Sequence, residues 1–99
     1  MSSLLEQVTA LCAELQIAAK PVNVFDSPLY VEFRIQNGNE VYRHLFTYAY
    51  RDGGGCRHEI DRIAWDGKEH RFLSCGLYAT ARDAYMASCA KMRLILAEV

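Results

Sequence analysis

Residues 29–50 constrain the fold more than any other stretch of this chain. Leu29, Tyr30, Val31, Glu32, Phe33, Arg34 and Ile35 form one β-branched and aromatic run. A second follows from Val41 through Tyr42, Arg43, His44, Leu45, Phe46, Thr47, Tyr48 and Tyr50. Between them stands Asn37-Gly38-Asn39. Two such runs flanking an Asn-Gly pair predict an antiparallel hairpin, because Asn and Gly accept the positive φ that tight hairpin turns require. The hairpin concentrates aromatic side chains at Tyr30, Phe33, Tyr42, Phe46, Tyr48 and Tyr50.

The turn length decides which side chains face the core. A two-residue loop at Asn37-Gly38 sets Phe33 opposite Tyr42, Val31 opposite His44 and Leu29 opposite Phe46, all on one face. A three-residue loop flips one strand, setting Ile35 opposite Val41 and Val31 opposite Leu45. The second register keeps Glu40 and His44 out of the core and is favoured here on that ground. It sends Tyr30, Tyr42, His44, Phe46, Tyr48 and Tyr50 to the outer face with Arg34 and Glu32. An exposed aromatic and arginine surface marks a partner site. The competing reading keeps these tyrosines as half-buried sheet residues, since sheets favour aromatics in any case.

Around the hairpin the pattern is helical at both ends. Leu4, Val8, Leu11 and Leu15 recur at helical spacing, with Leu5 and Cys12 beside them, predicting a helix over 3–19. Ser3 followed by Glu6 is a capping-box pair, and Pro21 is the expected stop. Asp26-Ser27-Pro28 reads as a turn. Gly53-Gly54-Gly55 reads as a flexible loop. The stretch 58–65 is legible as a strand or as a helical turn around Ile60, Ile63 and Ala64. Asp66-Gly67 suggests a second hairpin returning through 70–75. Thr80 with Asp83 caps a last helix whose stripe is Ala81, Tyr85, Cys89, Met92 and Leu96, flanked by the small Ala84, Ala87 and Ala90.

The 99 residues make one domain, 1–99. The expected class is α+β: a small antiparallel sheet of three or four strands, with the N- and C-terminal helices packed on one face. A net charge of −1 gives no bulk attraction to nucleic acid. No apolar run is long enough to cross a membrane. The N-terminus lacks a basic region ahead of Glu6, so a cytoplasmic setting with reduced thiols is expected for Cys12, Cys56, Cys75 and Cys89, with Cys12 and Cys89 as small core residues.

Candidate chemistry is sparse. Cys56, His58, His70 and Cys75 are zinc-ligand types, but their C-x-H and H-x4-C spacing fits no standard finger or knuckle. Scattered strand histidines and a loop thiol explain them, and no metal or other cofactor is expected. Cys56 and His58 stand two apart with no third group to orient them, too little for a nucleophile. The glycine run lacks the Lys-Ser/Thr of a phosphate-binding loop.

The helix–strands–helix order resembles the double-stranded-RNA-binding domain across most of the chain. The similar placements are Leu4-Leu5-Glu6, Tyr30, Gly38, Phe46, Ala84 and Ala87. That resemblance implies contact with nucleic acid through the start of the last helix. The matching positions here are Ala81, Arg82, Asp83 and Tyr85, of which only Arg82 is basic, and 57–75 is an extra segment. In size, order and aromatic–arginine sheet the chain is also similar to small phage-encoded inhibitors such as anti-CRISPR proteins. That similarity implies a non-enzymatic inhibitor or adaptor, acting in a host cytoplasm by occluding a surface of a protein or ribonucleoprotein complex. Its expected contacts are Tyr30, Arg34, Tyr42, Tyr48 and Tyr50, with Arg51 and Arg57 flanking the glycine loop. Open sheet edges also allow a homodimer.

Overall fold

The computed structural model describes residues 3–49, 53–63, 69–74 and 76–97. Helix α1 spans Leu4–Glu14 and helix α2 spans Ala81–Ala97. Between them run β1 (Val22–Val24), β2 (Ser27–Asn37), β3 (Glu40–Tyr48), β4 (Cys56–Ile63) and β5 (Glu69–Ser74). The strands form one antiparallel meander in chain order. The fold is therefore α+β, as expected, with four longer strands and the three-residue β1 added at one edge. Residues 58–63 are strand. The 66–67 turn lies outside the described residues, although β4 and β5 pair on either side of it, with Ile63 opposite Glu69.

Helix α1 starts where the sequence places it. Ser3 Oγ accepts from the Glu6 amide at 3.1 Å and Glu6 Oε1 accepts from the Ser3 amide at 3.4 Å, a complete capping box. The helix ends earlier than Pro21 would stop it. Gln16 takes a left-handed φ of 56°, the Ile17 amide donates to Cys12 O, and the Gln16 amide donates to Ala13 O. These bonds form a Schellman motif with glutamine where glycine is usual. They satisfy the last carbonyls and turn Ile17 into the core.

The two helices cover the same face of the sheet, α1 over β2 and β3 and α2 over β4 and β5. The core beneath them contains Leu4, Val8, Leu11 and Cys12 of α1, Val31 and Phe33 of β2, Phe46 of β3, Cys56 of β4, and Ala81 and Ala84 of α2. Each large apolar side chain buried here contributes about 2 kcal/mol. Small residues on α2 (Ala81, Ala84 and the buried Ser88) allow close approach to β4, where Ser88 Oγ donates to His58 O at 3.4 Å. Arg82 Nε donates to Glu14 Oε1 at 2.8 Å and ties the start of α2 to the end of α1.

The hairpin register corrects the expectation. The turn residues are Gly38 and Asn39, with Asn37 opposite Glu40, Ile35 opposite Tyr42, Phe33 opposite His44 and Val31 opposite Phe46. Gly38 has φ +64° and Asn39 is not at positive φ, the arrangement of a II′ turn. Tyr42, His44, Phe46 and Tyr48 therefore face the helices. The objection to this face was the burial of Glu40 and His44. Glu40 lies at the sheet end, half-buried, accepting from Tyr42 Oη at 2.7 Å and from Arg62 Nη1 at 3.1 Å. His44 is buried in direct contact with a second histidine, His58, 3.0 Å away.

Gly55, at the end of the glycine run, joins the sheet. Ala49 and Gly55 continue the β3–β4 ladder through Ala49 N–H to Gly55 O at 3.0 Å. A Cβ on Gly55 would stand 2.8 Å from Leu77 Cδ1 and 2.9 Å from Tyr78 O. Glycine is required there because the segment carrying Tyr78 bridges back to Cys56 through two backbone bonds, of 2.7 and 3.1 Å.

Candidate functional site

The face of the sheet turned away from the helices carries the most distinctive surface. Its rows across β2, β3 and β4 are Tyr30–Thr47–Arg57, Glu32–Leu45–Glu59 and Arg34–Arg43–Asp61. Two arginines directly opposite each other would repel. Here each has a carboxylate instead: Arg34 Nε lies 3.5 Å from Glu32 Oε2, and Arg43 Nε donates to Asp61 Oδ2 at 3.1 Å. The Asp61 side chain is only 2% exposed, so the Arg43 pair is a buried one, while Arg34 is 53% exposed.

The β1–β2 turn overhangs this face. Its two residues, Phe25 and Asp26, both have positive φ, 58° and 50°, as a type I′ turn requires. Asparagine and glycine favour such a turn; phenylalanine resists it, at a cost of about 1 kcal/mol or more. Phe25 nevertheless occupies it and is 77% exposed. Its ring meets Tyr30 edge-on, with centroids 5.6 Å apart at 82°. Below it opens a groove of about 540 Å³ lined by Val24, Phe25, Glu32, Arg34, Arg43 and Leu45. An exposed apolar ring held in a strained turn over a mixed apolar and cationic groove is suited to anchoring a macromolecule.

The structure divides the residues expected to bind a partner. Tyr30, Arg34 and Arg57 lie on the open face, Arg57 exposed at the end of β4. Tyr42 and Tyr48 lie on the opposite face, which removes them from this surface. Tyr42 packs near Ile60 and its hydroxyl is bound by Glu40, a hydrogen bond that raises its pKa. Tyr48 packs against the core, and its hydroxyl would sit 3.0 Å from any Cβ on Gly54. Tyr50 and Arg51 lie outside the described residues. Phe25 and Arg43 were not among the residues expected to bind a partner; the surface signal for Phe25 is conformational and no residue pattern carries it.

Of the zinc-ligand types Cys56, His58, His70 and Cys75, the structure describes the side chains of Cys56 and His58. Cys75 and the His70 side chain lie outside the described residues. Cys56 and His58 share the helix-covered face of β4, both buried. Among the described residues no three metal-ligating side chains converge. The ring partner of His58 is His44. Their imidazoles stack at 5.1 Å and 17°, enclosed by Phe33, Phe46 and Tyr85. Burial pushes His44 down to about 4; burial and then the neighbouring His44 push His58 down to about 2. Both rings are neutral at ordinary pH and share one N–H between His44 Nδ1 and His58 Nε2, while His58 Nδ1 has no hydrogen-bond partner among the described residues. Burial pushes the Cys56 thiol up to about 12, a protonated and weakly nucleophilic state.

Compared with protein-family models, curated proteins and solved structures, the chain matches none. The functional reading therefore stands on the residues of the open face alone. The start of α2, where the double-stranded-RNA-binding resemblance looks for basic residues, has Arg82 paired with Glu14 and Ala81 buried.

Proposed function

We propose that this protein is a non-enzymatic binding module, an inhibitor or adaptor that covers a surface of a larger protein or ribonucleoprotein complex with the open face of its sheet. The observation that carries this reading is Phe25. A large apolar side chain is held in solvent, in a backbone conformation that disfavours it, at the rim of a groove. Solvent exposure of that ring gains nothing for the fold, whereas its burial against a partner would contribute about 2 kcal/mol. Tyr30 supports the ring from below, and Arg34 and Arg57 supply directional cationic contacts on the same face.

The test is quantitative affinity capture from lysate of the source cells, comparing the native chain with a Phe25→Asn/Arg34→Ala variant. Asparagine suits the left-handed turn, so the variant keeps its fold, which circular dichroism checks. A macromolecule held stoichiometrically by the native chain and lost by the variant supports the reading. Equal retention by both chains overturns it.

A further inference from the structure

The groove continues onto an unpaired strand edge. Strand β1 accompanies β2 only as far as Val22 opposite Glu32, whereas β2 runs on to Asn37. Over residues 33–37, β2 has, among the described residues, a strand on its β3 side alone. In a two-residue hairpin the flanking pair, here Asn37 and Glu40, exchanges both hydrogen bonds, and the antiparallel alternation then turns the N–H and C=O of Arg34 and Gln36 outward. The chain ahead of β1 does not continue the ladder. It packs Ile17 and Ala19 against the core instead. A second concavity of about 240 Å³ lies against this edge, lined by Lys20, Val22, Glu32, Phe33 and Arg34. It shares Glu32 and Arg34 with the groove under Phe25.

Charge selects the occupant. Glu32, the carboxylate that lines both concavities, is withdrawn from solvent, its side chain 14% exposed. The cations remain accessible, with Lys20 exposed and Arg34 half in solvent. Glu32 Oε2 lies 3.5 Å from Arg34 Nε and has no hydrogen bond among the described residues, so the Arg34 guanidinium is not locked onto it. An incoming chain therefore meets outward main-chain donors and acceptors flanked by positive charge.

We propose that the outer edge of β2, at Arg34 and Gln36, takes up an extended acidic polypeptide segment of a partner protein as an added strand, with Lys20 and Arg34 receiving its carboxylates. This rests on the reading of the open face as a binding surface and names what binds there. Main-chain bonds supply affinity in such strand addition, and alternate side chains supply selection. The charged residues Lys20, Glu32 and Arg34 beside this edge also oppose its uncontrolled pairing.

The test uses short blocked peptides of alternating Glu and Val, read by fluorescence anisotropy and by amide hydrogen exchange of the full chain. Saturable binding is expected, with new protection at the Arg34 and Gln36 amides. A Lys/Val peptide should not bind. Lys20→Glu/Arg34→Glu should weaken the Glu/Val peptide roughly tenfold or more. N-methylation of alternate peptide amides should weaken it similarly, which a contact made only through carboxylates would not show. Four results would overturn the proposal: no binding of the Glu/Val peptide, binding without protection at Arg34 and Gln36, binding of an oligothymidylate in place of the peptide, or protection that appears with protein concentration alone, as in a dimer. If the peptide fails while capture of a macromolecule still depends on Phe25 and Arg34, the strand-addition proposal falls and the binding-module reading survives. Loss of that dependence sinks the broader reading.

Discussion

The buried His44–His58 pair predicts a steep loss of stability in mild acid. In the unfolded chain each imidazole titrates near 6.5; in the folded chain His44 is held at about 4 and His58 at about 2. A base whose folded pKa is lowered causes no penalty while it is neutral in both states, so stability is complete above about pH 6.5. As pH falls below that value the unfolded chain takes up protons that the folded chain refuses. Each group then lowers stability by about 1.4 kcal/mol per pH unit, down to its folded pKa. At pH 5 the loss is about 2 kcal/mol from each ring and about 4 kcal/mol from the pair, a large share of the 5–15 kcal/mol typical of a domain. Urea titrations followed by far-ultraviolet circular dichroism at pH 7.5, 6 and 5 measure it, with pH 5 chosen to stay above most carboxylate titrations. A His44→Leu/His58→Leu variant removes both polar partners together and should flatten the dependence, since replacing both members of a buried pair spares the cost of orphaning one. Native stability at pH 5 within about 1 kcal/mol of its value at pH 7.5 would refute the reasoning. So would a double variant that keeps the full loss.

Other substitutions probe other parts of the structure. Phe25→Asn alone should raise stability by about 0.5–1 kcal/mol, because asparagine tolerates the left-handed turn, and a lower melting temperature would contradict the strain at that position. Gly55→Ala should cost about 2 kcal/mol or more, since its Cβ meets Leu77 and the Tyr78 carbonyl, and the loss should be visible as a reduced urea midpoint. Asp61→Ala should cost about 3 kcal/mol by leaving the Arg43 guanidinium without its buried carboxylate; an effect under about 1 kcal/mol would show that the pair is solvated. On the alkaline side, the Cys56 thiol keeps its proton to about 12 in the folded chain against 9.0 unfolded, so stability should fall above pH 9 by about 1.4 kcal/mol per unit, and Cys56→Ala should remove that share of the slope.

What was legible in the sequence was local. Ser3 with Glu6, Thr80 with Asp83, the Leu4–Val8–Leu11 stripe and the Asn-Gly hairpin each depend on residues a few positions apart, and each is present. What was illegible depends on distant partners or on backbone conformation. The hairpin register follows from burial of His44, which is tolerable only because His58, on the next strand, shares its N–H. The end of α1 depends on Gln16 adopting a conformation usually left to glycine. Strand β1 is three residues long and mostly exposed, too short for a pattern. On the binding face, Tyr30, Arg34 and Arg57 were found as aromatic and cationic residue types. Phe25 was not, because an aromatic residue after a short strand carries no mark of its left-handed turn.

The pairing of Arg43 with buried Asp61 also bears on the kinetics of encounter. That arginine's charge is answered within the fold, and the whole chain carries only −1. At physiological ionic strength screening acts over about 8 Å, so an approaching molecule senses almost nothing from the protein until it is close. What it then meets is a local field from Lys20 and Arg34 beside the groove. Such a field orients a partner already at the surface without drawing it in from afar. Association should therefore run at the unassisted rates of about 10⁵–10⁶ M⁻¹s⁻¹ with a shallow dependence on salt, and the lifetime of the complex should be set by Phe25 and the main-chain contacts.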